Sequence, residues 1–309
     1  MTRDFDLLVA GEINADLILS GDVIPAFGQA EKLIDDATLA IGSSSCIVAC
    51  GAARLGLRVA FAGKVGDDHF GRFMLDSLAG RGIDTSHVII DPSLKTGLTV
   101  ILSLGVDRAM LTYPGSIAAL RYDEIDPALL ERARHLHISS YFLLDALRPD
   151  IPRLFASAHQ RGLTTSLDTN FDPSMRWDGG LADVLRHTDL FFPNETELRG
   201  IAHTDVIEDG LRALAASGAA VAVKQGERGA TAIRDGQIVQ APALALPVVD
   251  TTGAGDNFNA GFLYGFLNEW DLPRALRLGC VCGSLSARAA GGTTAQPTLA
   301  EALAFIAEA

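Results

Sequence analysis

Two glycine-rich nucleotide signatures are missing from this sequence. No GxxxxGK[ST] occurs anywhere in its 309 residues, which excludes a P-loop, and no GxGxxG lies between the first strand-like run and the following helix, which weakens a nicotinamide enzyme. Any nucleotide must be held another way. Positive charge is also scarce: 25 basic against 38 acidic side chains leave a net charge of −13. That balance argues against the broad basic footprint of a nucleic-acid or anionic-membrane binder. No apolar run reaches membrane-spanning length. The start, MTRDFDLLVAGEINAD, has no signal-peptide core because Glu12 and Asp16 interrupt it, so the expectation is a soluble, cytoplasmic protein with no membrane partner. Cysteine is sparse. Cys46, Cys50, Cys280 and Cys282 stand in CIVAC and CVC, too few for a disulfide framework and without the usual zinc spacing, so they are expected as small buried hydrophobes.

What is present describes an ordinary folded chain. Hydrophobic residues make up 48% and charged residues 20%, which suits one large α/β domain with an appendage, or two domains. Apolar runs ending in glycine or polar residues (FDLLVAG, VAFAGKVG, HLHISSYFLL, LTTSLDTN, DLFFPNE) alternate with helical patterns such as SSSCIVACGAARLG, HFGRFMLDSLAGRG, FASAHQRG and LADVLRH. Repeated strand and helix signals predict a mostly parallel sheet covered on both faces. Two stretches break the rhythm: residues 13–40, and residues 96–115, which read as a hairpin across GVD. Their β-rich character predicts a small sheet emerging from the larger body. TAIRDGQIVQ reads as a second hairpin, with Asp235–Gly236 at its bend.

In an open parallel sheet, ligands bind beyond the carboxyl ends of the strands, where this reading places Asp16, Gly42 to Ser45, Asp168, Asn194, Glu197, Lys224 and Asp256. In DTTGAGD, Gly253 and Gly255 allow a tight turn whose N–H groups, with a helix behind them, would meet a phosphoryl group. Asp256 is then either the acceptor of a hydroxyl proton or a helix cap. PNETEL puts Asn194 and Glu197 three residues apart. They could hold magnesium through waters, or Asn194 could cap a helix starting at Glu195 while Glu197 faces solvent. Lys224 at a strand end, followed by Gly226 and Gly229, could touch nucleotide phosphate or simply be solvated. Asp168 and Asn170 could organise the site or cap a turn. His135 and His137 have no compelling metal partners, and Trp270 reads as packing.

DTTGAGDNFNAGF at 250–262, GEINAD at 11–16, CGAARLG ending at 56, GKVGDDHFG at 63–71, PNETE at 193–197, VKQGERGA at 223–230 and AAGGTTAQP at 289–297 occur in an order that resembles the PfkB, or ribokinase-like, carbohydrate kinases over essentially the full length. The resemblance implies an α/β, ribokinase-like fold: a central, mostly parallel sheet flanked by helices, with residues 1–12, 41–95 and 116–309 forming the body and 13–40 and 96–115 a β-lid. It implies ATP-dependent phosphorylation of a sugar hydroxyl. Asp256 would be the general base, and Gly253, Ala254 and Gly255 the anion hole. Asp16 would be an acceptor ligand, with Asn14, Gly42 and Ser43 beside it. Lys224, Gly226 and Gly229 would lie on the nucleotide side, with Asn194 and Glu197 at Mg²⁺ through water. Val249, Ala289, Gly291 and Gly292 resemble a cation loop, which adds K⁺ to ATP and Mg²⁺, and the lid implies a homodimer.

IGSSSCIVA departs from the family pattern. Ser43 stands for the second glycine of a pair, and Ile47 for an asparagine that touches sugar hydroxyls. Either the acceptor pocket is less polar there, or its hydroxyl contacts come from Ser43, Ser44 and Asp16. Arg108, beside the lid hairpin, is read either as facing solvent or as meeting an anionic acceptor. A nucleoside kinase on the same scaffold and a catalytically weak sugar- or nucleotide-binding sensor stay open as alternatives. A dehydrogenase is the remote third.

Overall fold

The computed structural model describes residues 3–104 and 107–307. Thirteen strands are described: β1 (Phe5–Ala10), β2 (Asn14–Ser20), β3 (Asp36–Ile41), β4 (Val59–Gly66), β5 (Asp84–Asp91), β6 (Gly97–Leu104), β7 (Asp107–Tyr113), β8 (Ala133–Ile138), β9 (Thr164–Leu167), β10 (Leu190–Phe191), β11 (Ala220–Lys224), β12 (Ala230–Arg234) and β13 (Gln237–Ala241). The helices are α1 (Ser44–Arg54), α2 (His69–Ala79), α3 (Pro127–Arg132), α4 (Ile151–Gln160), α5 (Leu181–Leu185), α6 (Glu195–Ala202), α7 (Ile207–Ala215), α8 (Ala254–Leu267), α9 (Leu272–Ser286) and α10 (Leu299–Ala307). None is long and apolar enough to cross a membrane.

Nine strands form one sheet in the order β13-β12-β11-β10-β9-β8-β1-β4-β5. From β11 to β5 every neighbouring pair is parallel; β12 runs antiparallel to both β11 and β13, so it is the one reversed strand of this sheet among the described residues. The near-continuous apolar runs of β1 and β4 follow from burial on both faces. One core layer packs Phe155, Leu136 and Phe191 under α4 and α7, and the opposite layer packs Phe61, Phe192 and Phe262 under α1, α2 and α8. In α4 the buried set Ile151, Leu154, Phe155 and Ala158 repeats at helical spacing. Asp235 and Gly236 both take positive φ, 51° and 78°, the geometry a two-residue hairpin bend requires.

HLHISSYFLL is shorter as a strand than its apolar pattern predicts. Pairing stops at Ile138 because Ser140 adopts a left-handed conformation, φ 54°, before a 3₁₀ turn over Tyr141–Leu143. His135 and His137 are buried and meet hydroxyls: His135 lies 2.7 Å from both Thr164 and Ser166, and His137 2.7 Å from Ser166 and 2.8 Å from Ser139. All four cysteines are buried free thiols.

The smaller sheet has the order β3-β2-β6-β7 and acts as a lid. Gly105 and Val106, the first residues of the expected GVD bend, lie outside the described residues, but β6 and β7 pair antiparallel on either side of them. Strand register separates the faces of this sheet. One row runs Ala40–Asp16–Thr99–Thr112, with Asp16 and Thr99 buried; the next row, on the opposite face, is Leu39–Leu17–Val100–Leu111. The first face meets the body. The second is apolar and partly exposed.

Candidate active site

The parallel strands end beside the start of α8, and the tight DTTGAGD bend sets what that helix presents. Gly253 precedes α8 with φ 71°, and a Cβ there would stand 2.7 Å from Gly292 Cα and 3.1 Å from Ile47 Cγ2, so only glycine fits. Asn257 Nδ2 donates to the carbonyls of Gly253 and Gly292, both at 2.8 Å, and pins the bend to the 291–292 loop. Among the described residues no acceptor pairs with the backbone N–H of Gly255 or Asp256. Unpaired donors at the positive end of a helix form a cradle for an anion.

Asp256 lies in the first turn of α8, and its Oδ1 accepts a hydrogen bond from Ser44 Oγ. Burial, followed by repulsion from Asp168, pushes its carboxyl up to about 7, against the opposing pull of Ser44 and Lys224. Lys224 ends β11 with Nζ 2.6 Å from Asp168 Oδ2 and 3.4 Å from where a Cβ on Gly255 would stand. Burial opposes a charge on this lysine, yet Asp168 and Glu197 hold its pKa above the ordinary value. Asp168 stays below the usual carboxylate range despite burial, through Lys224 and the hydrogen bond from Asn259 Nδ2 at 2.5 Å. Among the described residues the buried Asn259 Oδ1 has no hydrogen-bond partner.

Asn194 caps α6 and makes a reciprocal box with Glu197. Asn194 Oδ1 accepts from Glu197 N at 2.9 Å, while Glu197 accepts from Asn194 N at 2.8 Å and Nδ2 at 2.6 Å. Glu197 does not face solvent; it is 3% exposed, and burial followed by repulsion from Asp168 raises it to about 7. A main-chain bridge joins Asn194 to Lys224. Beside this cluster opens a cavity of about 1050 Å³, lined by Lys224, Gly226, Gly229, Leu246, Gly255 and Ser284 among others. Gly229, at φ 90°, turns the chain where a Cβ would stand 2.0 Å from Ala241 O.

On the lid side, Asn14 Nδ2 lies 3.1 Å from Asp16 Oδ1. A Cβ on Gly42 would stand 2.1 Å from that same oxygen, so the strand passes close only as glycine. Burial pushes Asp16 up to about 7, opposed by Arg108 and by the Asn14 hydrogen bond. Gly42 abuts Asp16, and Ser44, two residues on, abuts Asp256, so one short segment joins the two carboxylates.

Several placements differ from the sequence reading. Ile47 is 3% exposed and packs beneath the cradle against Gly253 and Gly292, so it is not the apolar wall of an acceptor pocket. Ser43 caps α1 through Cys46 N and donates to Glu12 O at 2.7 Å, which leaves its hydroxyl engaged by the protein. Arg108 neither points free into solvent nor stands alone: Nη1 lies 2.8 Å from Thr252 Oγ1 and 3.3 Å from Asp250 Oδ1 and ties the lid to the cradle loop. Asp168 does cap Asn170 N, at 3.0 Å, and also pairs with Lys224. Ser44, expected as an acceptor contact, donates to Asp256 instead, and Glu12, Asn257 and Asn259 had no assigned role. Glu12 sits inside GEINAD as a buried carboxylate that accepts from Ser43, Ser45 and Ser140, and a charged residue among apolar neighbours was the only clue to it.

A family model described as pfkB family carbohydrate kinase matches residues 4–299. An uncharacterized sugar kinase of Archaeoglobus fulgidus is 33% identical over 237 residues, 74% of this chain and 91% of that protein. An ATP-dependent ribose-1-phosphate kinase of Halopiger xanaduensis is 32% identical over 98% of both chains. The structure of Arabidopsis thaliana ribokinase with ribose and ATP superposes with a TM-score of 0.84 at 22% identity, covering 99% of each chain, which shows the fold.

Among the described residues no cation contacts the buried Asp16 carboxylate, and its raised pKa predicts a stability cost. In the unfolded chain it ionises near 3.8, in the native state at about 7. Its contribution is therefore fully present below about pH 4 and lost as pH rises through 7. Asp16→Asn should raise the unfolding free energy at about pH 8 by a few kcal/mol, at about 1.4 per pKa unit. Urea titrations should show that gain shrinking toward pH ~4; an equal change at both pH values contradicts this origin.

Proposed function

The chain belongs to the pfkB family of carbohydrate kinases and is an ATP-dependent kinase of that family, and on this premise we propose in-line transfer of the ATP γ-phosphoryl group to a sugar hydroxyl with Asp256 as general base. The single observation that carries this reading is the convergence at the start of α8. The unpaired N–H groups of Gly255 and Asp256 and the Asp256 carboxylate belong to adjacent positions, with the 1050 Å³ cavity on one side and Asp16 on the other.

The chemistry follows from that arrangement. ATP lies along Gly226 and Gly229 in the cavity, and its terminal phosphate reaches the bend of Gly253, Ala254 and Gly255, where the N–H groups of Gly255 and Asp256 receive it while Ala254 N already donates to Thr251 O at 3.2 Å. Lys224, kept charged by Asp168, adds a cation beside that phosphate. The acceptor hydroxyl is oriented by Asp16, with Asn14 and Gly42 shaping the strand beside it. As its oxygen bonds to the γ-phosphorus and the bond to the β-phosphate oxygen breaks, its proton passes to Asp256. Ionisation before attack is unnecessary. Backbone donors offset the charge developing on the phosphoryl oxygens.

Mg²⁺ fits through water. Both Glu197 oxygens accept from Asn194, which favours contact with the ion through water, while Asp168, Asn194 and Asn259 Oδ1, unpartnered among the described residues, would complete an oxygen-rich set suited to a hydrated ion. Bound there, it would neutralise phosphate charge. A domain arrangement of lid (13–40 and 96–115) on body (1–12, 41–95 and 116–309) lets the Arg108 contact hold the lid over the cradle and exclude water.

Asp256→Asn should keep ATP binding and lose about 10²–10⁴-fold in turnover, measured with labelled ATP and a panel of pentoses, hexoses, sugar acids, ribose 1-phosphate and nucleosides. The wild-type rate should fall as pH drops below about 7, because only the ionised carboxylate accepts a proton. Near-normal turnover of the Asn variant removes Asp256 from this role.

Potassium belongs to the same proposal. Asp250, held low against burial by hydrogen bonds from Gly291 N and Thr252, ties the DTTGAGD bend to the loop carrying Ala289, Gly291 and Gly292, and the carbonyls there and at Val249 supply the ligands. Turnover should rise on exchanging Na⁺ for K⁺; an unchanged rate excludes it.

The apolar outer face of the lid supports a homodimer through the lid. Leu39, Leu17, Val100 and Leu111 form a continuous row across four strands, with Leu111 62% exposed, and Phe27 in the adjoining loop is 97% exposed. Sedimentation should give a dimer, and Val100→Asp a monomer; a monomeric wild type contradicts it.

A further inference from the structure

The run IGSSSC, which departs from the family's glycine pair, contains three consecutive serines whose hydroxyls divide between two carboxylates. Ser43 lies 3.1 Å from Glu12 Oε1, and Ser45 Oγ donates to Glu12 Oε2 at 2.5 Å. Glu12 also accepts from Ser45 N at 3.1 Å and from Ser140 Oγ at 2.8 Å, so it is fully engaged. Only Ser44 crosses to the other carboxylate, donating to Asp256 Oδ1. Among the described residues no hydrogen bond occupies Asp256 Oδ2.

We propose that Ser44 is a positioning residue for phosphoryl transfer: its hydroxyl holds Oδ1, fixes the carboxylate plane, and leaves Oδ2 as the oxygen that receives the acceptor proton. The surrounding structure supports this aim. Ser44 is the first residue of α1, and the turn before it is gripped on both sides by the Glu12 bonds of Ser43 and Ser45. Ser43 adopts φ 69°, a left-handed conformation unusual for a residue with a side chain, so the approach to Ser44 is imposed. Helix α1 meets α8 closely because of Gly51, where a Cβ would stand 2.9 Å from Ala260 Cβ and 3.1 Å from Asn257 Oδ1. That close contact brings the start of α1 to the start of α8.

The charges around Asp256 give this hydrogen bond a second effect. Asp168 and Glu12 both disfavour ionisation of Asp256, and burial does so most. Lys224 favours ionisation, but its direct ion pair is with Asp168. A donor hydroxyl on Oδ1 favours the charged form. Loss of Ser44 therefore leaves a base that stays protonated to higher pH.

The catalytic consequence rests on the kinase reading, whereas the test of the contact needs neither ATP nor acceptor. Carbon-13 NMR of protein labelled at the aspartate side-chain carboxyl, with Asp256→Asn used to assign the signal, reads the Asp256 titration directly. The wild-type midpoint is expected at about 7. Ser44→Ala should raise it by about one pH unit, the scale of one hydrogen bond to a charged group. Ser44→Thr should leave it near the wild-type value, and Ser44→Val, which matches Thr in shape without the hydroxyl, should raise it as Ala does. The Thr and Val pair decides the matter where Ala does not fold. An unmoved or lowered midpoint in the variants lacking the hydroxyl overturns the proposal and leaves the kinase assignment standing. Once the panel supplies an acceptor, Ser44→Val should lose turnover about tenfold at neutral pH and recover it at higher pH; a deficit equal at every pH marks a merely structural role and overturns the positioning role.

Discussion

A general base for an alcohol must be desolvated enough to hold a proton and ionised enough to accept one. Asp256 is placed between those demands. It stands at the start of α8, where the helix end favours negative charge, among acidic neighbours that oppose it. The rest of the site can be understood as the means of keeping that carboxylate and the adjacent N–H donors in one place. Asn257 pins the bend through two carbonyls, Ile47 fills the space beneath it, and Gly51 lets α1 approach.

Lys224 and Asp168 illustrate the same constraint from the cavity side. A lysine this buried would lose its charge without a partner, and Asp168 would lose its own. Their 2.6 Å contact keeps both ionised, so the cation next to the cradle persists in a site of low solvent access. Glu197 shows the opposite outcome. Its oxygens are satisfied by Asn194, but no cation touches it, and it is pushed toward the neutral form. A single cluster thus holds carboxylates of different charge state, set by what each one contacts.

Much of this was legible in the sequence. The strand and helix alternation gave the sheet, and DTTGAGD gave the cradle, because glycine and helix-start chemistry are local. The lid was legible as two β-rich interruptions, since they break a helical rhythm. Side-chain partnerships were not legible, because they depend on which elements meet. Ser43 and Ser44 read as acceptor contacts, but Ser43, with Ser45, bonds Glu12, and Ser44 bonds Asp256. Ile47 read as pocket lining because it stands where the resembled family has an asparagine, whereas its place on α1 sets it against Gly253 and Gly292. Glu197 looked solvent-facing by helical position alone, and the capping box draws it inward. Asn257 and Asn259 lay unnoticed in an apolar stretch, where amides carry no signal until the carbonyls and carboxylate they bind are known.

The central claim is that phosphate donors and proton acceptor converge at one point. A crystal structure with ADP, Mg²⁺ and aluminium fluoride tests it most directly. The account predicts the planar or octahedral fluoride held by the backbone N–H groups of Gly255 and Asp256, with an Asp256 carboxylate oxygen within about 3 Å of the apical ligand. A fluoride complex seated away from that helix end, or an Asp256 side chain turned from it, would contradict the account.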